Sequence, residues 1–283
     1  MSAADVDAKV VHVSSGKKLF VDISSEQDGK LKDAPAIFFM HGLGSSTSFW
    51  EASLSSSALA DKYRLVRYDF DGHGLSPVSP LCFGNESSNL SIDDLVEDLA
   101  AVMDHVRVEK AAGVVGHSMS GLVASKFAAR YPHRVEKVVL LGAMRALKPQ
   151  VQTTMLQRAH TVMSHGLSAV VSQVVSAALS DKSKSTSPLS AAIVRTLVLG
   201  TRPAGYAAAC HALAGATDAQ YETIQAQTLI VAGQEDYLSN KETTDFFEEN
   251  IKGSKRVTME GVGHWHAVED PIGLRKILEE FFA

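Results

Sequence analysis

Hydrophobic and polar positions along the chain follow two patterns with different periods. Short runs rich in β-branched and aromatic residues, each bounded by turn residues, are typical of buried strands. Longer segments place apolar residues three and four positions apart, as amphipathic helices do. In the segment 91–108, Ser91 is suited to cap such a helix at its N-terminus. The expected apolar face of this helix consists of Leu95, Leu99, Val102, Met103 and Val106.

The strand-like runs are short, and helical segments separate most of them. Two opening runs, 9–13 and 17–23, are expected to pair in antiparallel fashion. The other predicted strands are 34–42, 63–72, 110–118, 135–143, 227–236 and 254–260. Helices are predicted at 91–108, 121–132, 240–251 and 271–282. Strands that alternate with helices indicate an α/β fold, here with a mostly parallel eight-stranded sheet flanked by helices.

This alternation stops between Ala143 and Gln225, where no strand-like run is present. Helices are expected there at roughly 150–165, 167–180, 188–200 and 204–215, with a polar loop, SDKSKSTSP, between the second and the third. We therefore predict a core of residues 1–144 and 218–283. Residues 145–217 are predicted to form a lid of four helices, inserted after the sixth strand.

The predicted lid is basic. Residues 145–217 contain seven Lys and Arg side chains and one acid, Asp181, in a chain whose formal net charge is −5. This imbalance is typical of an ordinary solvated helix face. It is also what a surface that attracts an anionic substrate requires, so both interpretations stay open.

Composition excludes several classes of protein. No run of Lys and Arg of the kind that binds nucleic acid occurs in the 283 residues, so no nucleic-acid partner is expected. The first 13 residues lack the basic and then apolar layout of a signal peptide. No apolar run approaches the ~18 residues of a membrane span, so no membrane association is expected. Cys82 and Cys210 are too few for a disulfide framework, and we expect free thiols and a cytoplasmic location.

The stretch GHSMSG at 116–121 follows a predicted strand and resembles the G-x-S-x-G pattern, with Ser120 in place of the last glycine. In that pattern the serine stands on a sharp strand-to-helix turn, where small residues are needed two positions before and after it. Gly116 and Ser120 meet this condition for Ser118. A nucleophile at Ser120 would instead place Leu122 in the turn. Ser118 is therefore the predicted nucleophile.

A serine nucleophile needs a general base and a third group that orients the base. On this type of turn the three residues follow one another as serine, acid and histidine along the chain. Asp236 comes just after one predicted strand, and His264 lies in the loop after the next. Glu235 as the acid and His266 as the base are the alternatives. The predicted catalytic residues are thus Ser118, Asp236 and His264.

The oxyanion of an acyl-transfer reaction needs two backbone N–H donors. We predict that Met119, directly after the nucleophile, and Leu43, in the HGLG stretch at 41–44, supply them. His41 is expected to be a buried histidine that supports this loop. The segment DFDGHGLS at 69–76 is expected to form a tight buried turn, because it lacks the pattern of a phosphate-binding loop.

Other residues are expected to contact a substrate. Arg145, just past the sixth predicted strand, is placed to meet a substrate carboxylate. Residues expected in the apolar wall of the pocket, with ordinary core packing as the alternative for each, are Phe49, Trp50, Met144, Tyr206 and Trp265. No spacing typical of metal ligands is present, and the predicted chemistry needs no metal or organic cofactor.

Together these motifs resemble the α/β-hydrolase superfamily over nearly the whole chain. The matching stretches are HGLGSS, YDFDGHGLS, VVGHSMSG, VAGQED and GVGHWHAVEDP, the last with Glu269 and Pro271 in the positions of the family pattern. The resemblance implies the α/β-hydrolase fold with an inserted lid and a Ser-Asp-His triad. Asp71 stands where the family usually has an arginine, which puts one local salt bridge in doubt.

Two groups within the superfamily are similar in detail. The segment RPAGYAAACHALAGATDA is similar to the last lid helix of the 3-oxoadipate enol-lactonase-like group. This implies a serine hydrolase of a small-molecule ester or lactone, including an enol-lactone or another lactone that carries a carboxylate. The Gly-His-Ser-x-Ser turn is similar to that of the strigolactone and karrikin receptor hydrolases, which implies a ligand receptor with slow hydrolysis. C–C bond hydrolysis is a third hypothesis, because enzymes of that type use the same triad.

Overall fold

The structure is a computed structural model that describes residues 9–13, 16–24, 31, 33–83 and 90–283. The segment 1–8, part of the stretch examined above for a signal peptide, lies outside the described residues. The strands, numbered in chain order, are β1 Lys9–His12, β2 Lys18–Ser24, β3 Ala36–Met40, β4 Arg64–Tyr68, β5 Ala111–His117, β6 Val135–Leu141, β7 Gln227–Gly233 and β8 Lys255–Met259.

These strands form one sheet in the order β1-β2-β4-β3-β5-β6-β7-β8. The β1–β2 and β2–β4 pairs are antiparallel, and every other neighbouring pair is parallel. Strands β3 and β4 are buried along their whole length, as expected for central strands covered on both faces. The predicted eight-stranded, mostly parallel α/β sheet with its antiparallel opening pair is confirmed.

Helices flank the sheet and also form an insertion between β6 and β7. In chain order they are α1 Glu51–Leu54, α2 Ile92–His105, α3 Met119–Arg130, α4 Pro149–His165, α5 Val171–Ala178, α6 Asp181–Thr186, α7 Pro188–Leu199, α8 Pro203–Ala214, α9 Lys241–Asn250, α10 His266–Glu269 and α11 Pro271–Phe282. None of the helices in the described part of the chain is long and apolar enough to cross a membrane.

Helix α2 forms as its sequence predicts. The Ser91 side chain accepts a hydrogen bond from the Asp94 N–H, and the Asp94 side chain accepts one from the Ser91 N–H. This reciprocal arrangement satisfies backbone donors that would otherwise have no partner in the first turn. The apolar face predicted for this helix is buried against the sheet.

The insertion differs from the sequence prediction in one segment. The stretch SDKSKSTSP, predicted as a polar loop, contains helix α6, so residues 145–217 include five α-helices and not four. Ser180 caps α6 by accepting a hydrogen bond from the Ser183 N–H, and Pro188 starts α7 two residues after α6 ends. Serine as a cap and proline in the first turn both favour helices, and the polar composition hid these signals.

The core consists of two hydrophobic clusters, one on each face of the sheet. The second cluster joins residues of the insertion, including Val162, Val194 and Tyr206, to Trp50 and Trp265 of the core. The insertion is therefore packed onto the edge of the sheet where the parallel strands end. In open α/β sheets this edge is where ligands bind.

Candidate active site

The chain makes a sharp turn between β5 and α3, and Ser118 is the residue at the turn. Its φ of 56° and ψ of −119° lie in a region that non-glycine residues rarely adopt. Strained backbone of this kind persists only where the surrounding structure enforces it, and it is concentrated at functional sites. The turn holds Ser118 at the carboxyl end of a central strand, directly before the N-terminus of a helix.

Two neighbours make this turn possible. A Cβ atom on Gly116 would lie 2.2 Å from the Ser120 backbone oxygen, so only glycine fits at this position. Ser120 is fully buried, and its hydroxyl donates a hydrogen bond to the His41 backbone carbonyl. The sequence required only that residue 120 be small. The hydrogen bond from the Ser120 hydroxyl to the loop that carries Leu43 was not predicted.

The structure brings Ser118, His264 and Asp236 into one hydrogen-bonded series. The Ser118 hydroxyl lies 2.8 Å from His264 Nε2, and His264 Nδ1 lies 2.8 Å from Asp236 Oδ2. An ionised carboxylate only accepts hydrogen bonds, so Nδ1 carries the proton and Nε2 is left to accept from the serine. This is the geometry that activates a serine hydroxyl.

Asp236 is held in place and kept ionised by its surroundings. Its Oδ1 accepts hydrogen bonds from the N–H groups of Leu238 and Ser239, each at 2.9 Å. Burial opposes ionisation, but the charge interaction and hydrogen bond with His264 hold the pKa of the Asp236 carboxyl well below its usual value. The carboxylate is therefore available to orient His264 across the physiological pH range.

The two alternative residues take other positions. The Glu235 carboxylate accepts a hydrogen bond from the Asp181 N–H at 2.7 Å, so its interaction is with the insertion. His266 is fully buried, and its Nδ1 lies 2.9 Å from the His264 backbone oxygen. Neither side chain joins the series that ends at the Ser118 hydroxyl.

Leu43 and Met119 both lie beside Ser118. Met119 is the first residue of α3, and Gly42 approaches so closely that a Cβ there would lie 2.9 Å from the Ser118 Cβ. Within the described part of the chain, no hydrogen-bond acceptor is recorded for the N–H of Leu43 or of Met119. Backbone donors without a partner next to a serine nucleophile are what an oxyanion site requires.

The loop that carries Leu43 is supported by two buried histidines. His41 Nδ1 lies 2.8 Å from the Gly42 carbonyl, and His41 Nε2 accepts from the Phe70 N–H at 3.1 Å. His73 Nε2 accepts from the Gly44 N–H at 3.3 Å. The expected supporting role of His41 is confirmed. The segment 69–76 forms the expected turn and is buried except at Gly74 and Leu75.

Asp71 forms hydrogen bonds in place of the salt bridge that the family pattern implies. Its carboxylate accepts hydrogen bonds from the N–H of Ser79, at 2.8 Å, and from the Ser79 hydroxyl. No ion pair involving Asp71 is found among the described residues. The serine thus satisfies the carboxylate within the same turn.

Two of the residues predicted for the apolar wall, Phe49 and Trp265, lie next to His117. The Phe49 ring stacks on His117, the residue before Ser118, at a centroid distance of 4.4 Å, and Trp265 packs edge-on against Phe49. Trp50 and Tyr206 are also buried in the same cluster, whereas Met144 is half-buried and packs on the opposite one. Ser118 itself is 9% exposed, so the surrounding residues cover it almost completely.

Arg145 is engaged away from the site. Its guanidinium pairs with Asp218 at 2.6 Å and lies 3.4 Å from the centre of the Phe246 ring. Asp218 stands one residue beyond the segment counted for charge, which is why the sequence left Arg145 without a partner. The expectation that Arg145 meets a substrate carboxylate is therefore not supported by its contacts.

Arg158, on α4, is the basic residue that the sequence analysis missed. It is half-buried, and no ion pair is recorded for it among the residues that the structure describes. Burial raises the pKa of Tyr206 to about 12, and the nearby Arg158 guanidinium acts in the opposite direction. The feature that distinguishes Arg158 from the other basic residues is that it faces Tyr206. This feature cannot be read from the sequence, because it depends on how α4 packs against α8.

The insertion is hydrogen-bonded directly to the loop of His264. The His264 N–H donates to the Ala178 carbonyl at 2.7 Å. The Glu269 carboxylate accepts hydrogen bonds from the N–H groups of Ser180, Gly263 and Trp265, at 2.9, 3.1 and 3.0 Å. The turn between α5 and α6 therefore touches the backbone of the proposed base.

Neither metal ligation nor disulfide formation is indicated in the described part of the chain. No group of three or more His, Cys, Asp or Glu side chains there is arranged to hold a metal ion. Cys82 and Cys210 are free thiols, as expected.

The fold agrees with the result of comparison with known families. The model of the alpha/beta hydrolase fold family matches residues 35–271, so the chain belongs to that family. The family and fold expected from the sequence motifs are confirmed.

Individual relatives extend the similarity to the full length of the chain. The chain is 28% identical over 280 residues to 3-oxoadipate enol-lactonase 1 of Acinetobacter baylyi, a match that covers 98% of each protein. It is 29% identical over 251 residues to 3-oxoadipate enol-lactonase 2 of the same organism, covering 87% of this chain and 88% of that one. The crystal structure of the enol-lactonase from Burkholderia xenovorans superimposes with a TM-score of 0.83 at 26% identity, over 96% of this chain and 99% of that one. The expected resemblance to the enol-lactonase-like group is confirmed.

Proposed function

We propose that the protein hydrolyses a carboxylic ester or lactone of a small molecule through an acyl-enzyme on Ser118. The observation that carries this proposal is the continuous hydrogen-bonded series from the Ser118 hydroxyl through His264 to Asp236. The family membership and the full-length similarity to proteins named enol-lactonases support the same reaction class.

In the first step, Ser118 Oγ attacks the substrate carbonyl carbon while His264 Nε2 takes the hydroxyl proton. The carbonyl oxygen becomes an oxyanion, to which the N–H groups of Leu43 and Met119 donate. Each such donor typically lowers the barrier by ~3 kcal/mol. The bond to the leaving oxygen then breaks, and that oxygen takes the proton from His264.

In the second step, water attacks the acyl-enzyme while His264 takes its proton, and the proton is returned to Ser118 Oγ as the acid is released. Asp236 stabilises the imidazolium that forms in each half-reaction. When the substrate is a lactone, the leaving oxygen stays attached to the acyl chain, so the product is a single hydroxy- or oxo-acid.

We further propose that the insertion, 145–217, acts as a lid over a core formed by residues 1–144 and 218–283. Support comes from α7 and α8, where Val198 and Tyr206 lie against Gly44 of the loop that carries Leu43. With Ser118 only 9% exposed, a substrate must displace part of this cover to enter. Closure after entry would exclude water and strengthen electrostatic interactions in the site.

For the substrate we propose a lactone that retains a free carboxylate. The name of the relatives supports this class, because 3-oxoadipate is a dicarboxylic acid and its enol-lactone keeps one carboxylate. Arg158 is the proposed partner. Among the basic residues of the insertion it alone is half-buried without an acidic partner recorded in the described chain. Tyr206, which contacts the loop of Leu43, is also close to Arg158.

The substrate proposal is tested by comparing Arg158→Gln with Arg195→Gln, a matched control at an exposed position of the insertion. We expect Arg158→Gln to raise KM for a carboxylate-bearing lactone about tenfold and to leave KM for a neutral lactone unchanged. Arg195→Gln should change neither value. Equal effects of Arg158→Gln on both lactones would exclude Arg158 as the carboxylate partner.

The reaction itself is tested with a serine-reactive phosphonate. We expect one equivalent to bind covalently to Ser118 and to abolish esterase and lactonase activity. Fragmentation mass spectrometry of the peptide that contains residues 118 and 120 identifies the modified residue. Labelling at another residue, or full activity after labelling, would exclude this reaction.

The receptor hypothesis was based on Ser120, and the structure supplies another reason for a serine there. The Ser120 hydroxyl bonds to the His41 carbonyl and so ties α3 to the loop that carries Leu43. This contact serves a hydrolase equally well. Counting product molecules per enzyme molecule distinguishes the two functions.

A further inference from the structure

We propose that His117 and His266 are positioning residues that together clamp the backbone carbonyl of His264, and so fix the imidazole between Asp236 and Ser118. This inference rests on the proposed function, in which His264 is the general base. His117 ends β5, directly before the nucleophile, and His266 begins α10, two residues after the base. The two histidines therefore reach the same carbonyl from two different segments of the chain.

Both contacts are hydrogen bonds to a single oxygen atom. His117 Nε2 lies 2.8 Å and His266 Nδ1 lies 2.9 Å from the His264 carbonyl oxygen. A carbonyl oxygen has two lone pairs and cannot donate, so both ring nitrogens must carry protons. The contacts thus require the Nε2–H form of His117 and the Nδ1–H form of His266.

The other nitrogen of each ring supports this assignment. His117 Nδ1 and His266 Nε2 are buried and have no hydrogen-bond partner in the described chain. A proton there would be an unsatisfied buried donor, which is costly. Burial, together with the neighbouring His264 and His266 rings, lowers the pKa of His117 well below its usual value. Burial also lowers the pKa of His266.

The clamp completes the fixation of the His264 peptide. Its N–H already donates to Ala178 of the insertion at 2.7 Å, and its carbonyl accepts from the two histidines. The backbone of the base therefore cannot rotate without the loss of several buried hydrogen bonds. Neutral neighbours also add no positive charge beside the imidazolium that His264 becomes during the reaction. Small displacements of a catalytic group reduce the rate of the chemical step strongly.

Two amide side chains test the clamp at both positions. Glutamine places an N–H donor where the Nε2–H of histidine lies, and asparagine places one near the position of Nδ1–H. At residue 117, His117→Gln should therefore keep the bond and His117→Asn should lose it. At residue 266 the order is reversed: His266→Asn should keep the bond, and His266→Gln should lose it.

We expect each bond-losing variant to lower kcat roughly tenfold relative to the bond-keeping variant at the same position, with KM changed less than twofold. Thermal unfolding midpoints identify any variant that is poorly folded. A purely structural preference for one amide would rank glutamine and asparagine in the same order at both positions. That outcome, or equal kcat values throughout, would overturn the proposal.

A measurement on the wild-type protein covers the case in which variants do not fold. Long-range ¹⁵N–¹H correlation spectra of histidine-labelled protein report the tautomer of each ring. We expect His117 as Nε2–H and His266 as Nδ1–H, both neutral at pH 7. A charged ring or the opposite tautomer at either residue would contradict the clamp. If the wild-type protein has no lactonase or esterase activity, that result would instead count against the proposed function.

Discussion

The Ser120 hydroxyl donates a hydrogen bond to the His41 carbonyl, and this bond joins the helix behind Ser118 to the loop that carries Leu43. The two proposed oxyanion donors, the N–H groups of Leu43 and Met119, stand on the two sides of this connection. The distance between these two N–H groups determines how well they fit a tetrahedral oxyanion. The Ser120 hydrogen bond fixes this distance, because it joins the two segments that carry the donors.

Removal of this hydrogen bond should lower kcat more than it lowers the stability of the fold. We expect Ser120→Ala to lower kcat several-fold, because the loop of Leu43 loses a buried tie and the His41 carbonyl loses its donor. Ser125→Ala is the matched control, since Ser125 lies on the same helix and is fully buried, but its hydroxyl has no recorded partner in the described chain. Steady-state rates on one ester check the comparison, and equal kcat values for the two variants would contradict it.

The choice of Asp236 over Glu235 as the acid gives a second prediction. Asp236→Asn should lower kcat about a thousandfold or more, because an amide favours the wrong tautomer of His264 and does not stabilise its charge. Glu235→Gln should retain most of the activity, since among the described residues the Glu235 carboxylate accepts a hydrogen bond only from the Asp181 N–H of the insertion. The rates of both variants on one substrate check this. A larger loss in Glu235→Gln would reverse the assignment.

Gly142 provides a third prediction, because it lies against two residues of the site. A Cβ at this position, where φ is +50°, would lie 2.6 Å from the His266 ring and 3.1 Å from Asp236 Oδ2. Gly142→Ala should therefore displace these side chains and lower kcat strongly. Gly253→Ala is the control, since Gly253 has a φ of +74° with no atom within 4 Å of a Cβ.

The control variant should show the backbone cost alone. We expect Gly253→Ala to reduce the free energy of unfolding by about 1 kcal/mol with kcat unchanged. Urea unfolding and steady-state kinetics of both variants separate the two effects. Normal kcat in Gly142→Ala would show that the His266 and Asp236 positions tolerate displacement.

The buried histidines make stability depend on pH. Burial lowers the pKa of His41 and that of His73 from 6.5 to about 4. Between these values the unfolded chain binds protons that the folded chain does not, so stability is lost as the pH falls from 6.5 towards 4. Two further buried histidines, whose pKa is also lowered, act in the same direction: His117 and His266.

Between pH 7 and pH 5 we expect the free energy of unfolding to fall by roughly 2 kcal/mol for each of His41 and His73. Asp98, whose pKa burial raises to about 6, and Asp69, whose pKa burial also raises, act in the opposite direction, but they are two groups against four. Urea unfolding at the two pH values measures the net effect. An unfolding midpoint at pH 5 that equals or exceeds the midpoint at pH 7 would contradict this prediction.

The sequence predicted what depends on local pattern and on chain order. The α2 helix follows from its apolar spacing and from the capping pair Ser91 and Asp94. The choice of Asp236 and His264 follows from their order after Ser118 and from their places at strand ends, because parallel strands end at the same edge of a sheet. The structure brings these three residues together, as that reasoning expects.

Contacts between distant segments were not predictable in this way. Arg145 has its partner Asp218 73 residues away, and the His117 contact with the His264 carbonyl spans 147 residues. The short helix α6 was missed because its cap, Ser180, stands in a stretch whose polar residues also suit a loop. These features depend on how elements pack, which periodicity alone does not determine.

The most direct test of the proposed hydrolase is the amount of product formed per enzyme molecule. Wild-type protein and Ser118→Ala are compared on a panel of short esters and lactones under steady-state conditions. We expect wild-type product to increase linearly far beyond one equivalent of enzyme and Ser118→Ala to lower the rate at least about a thousandfold. Product that stops at one equivalent, or an undiminished rate in Ser118→Ala, would contradict this expectation.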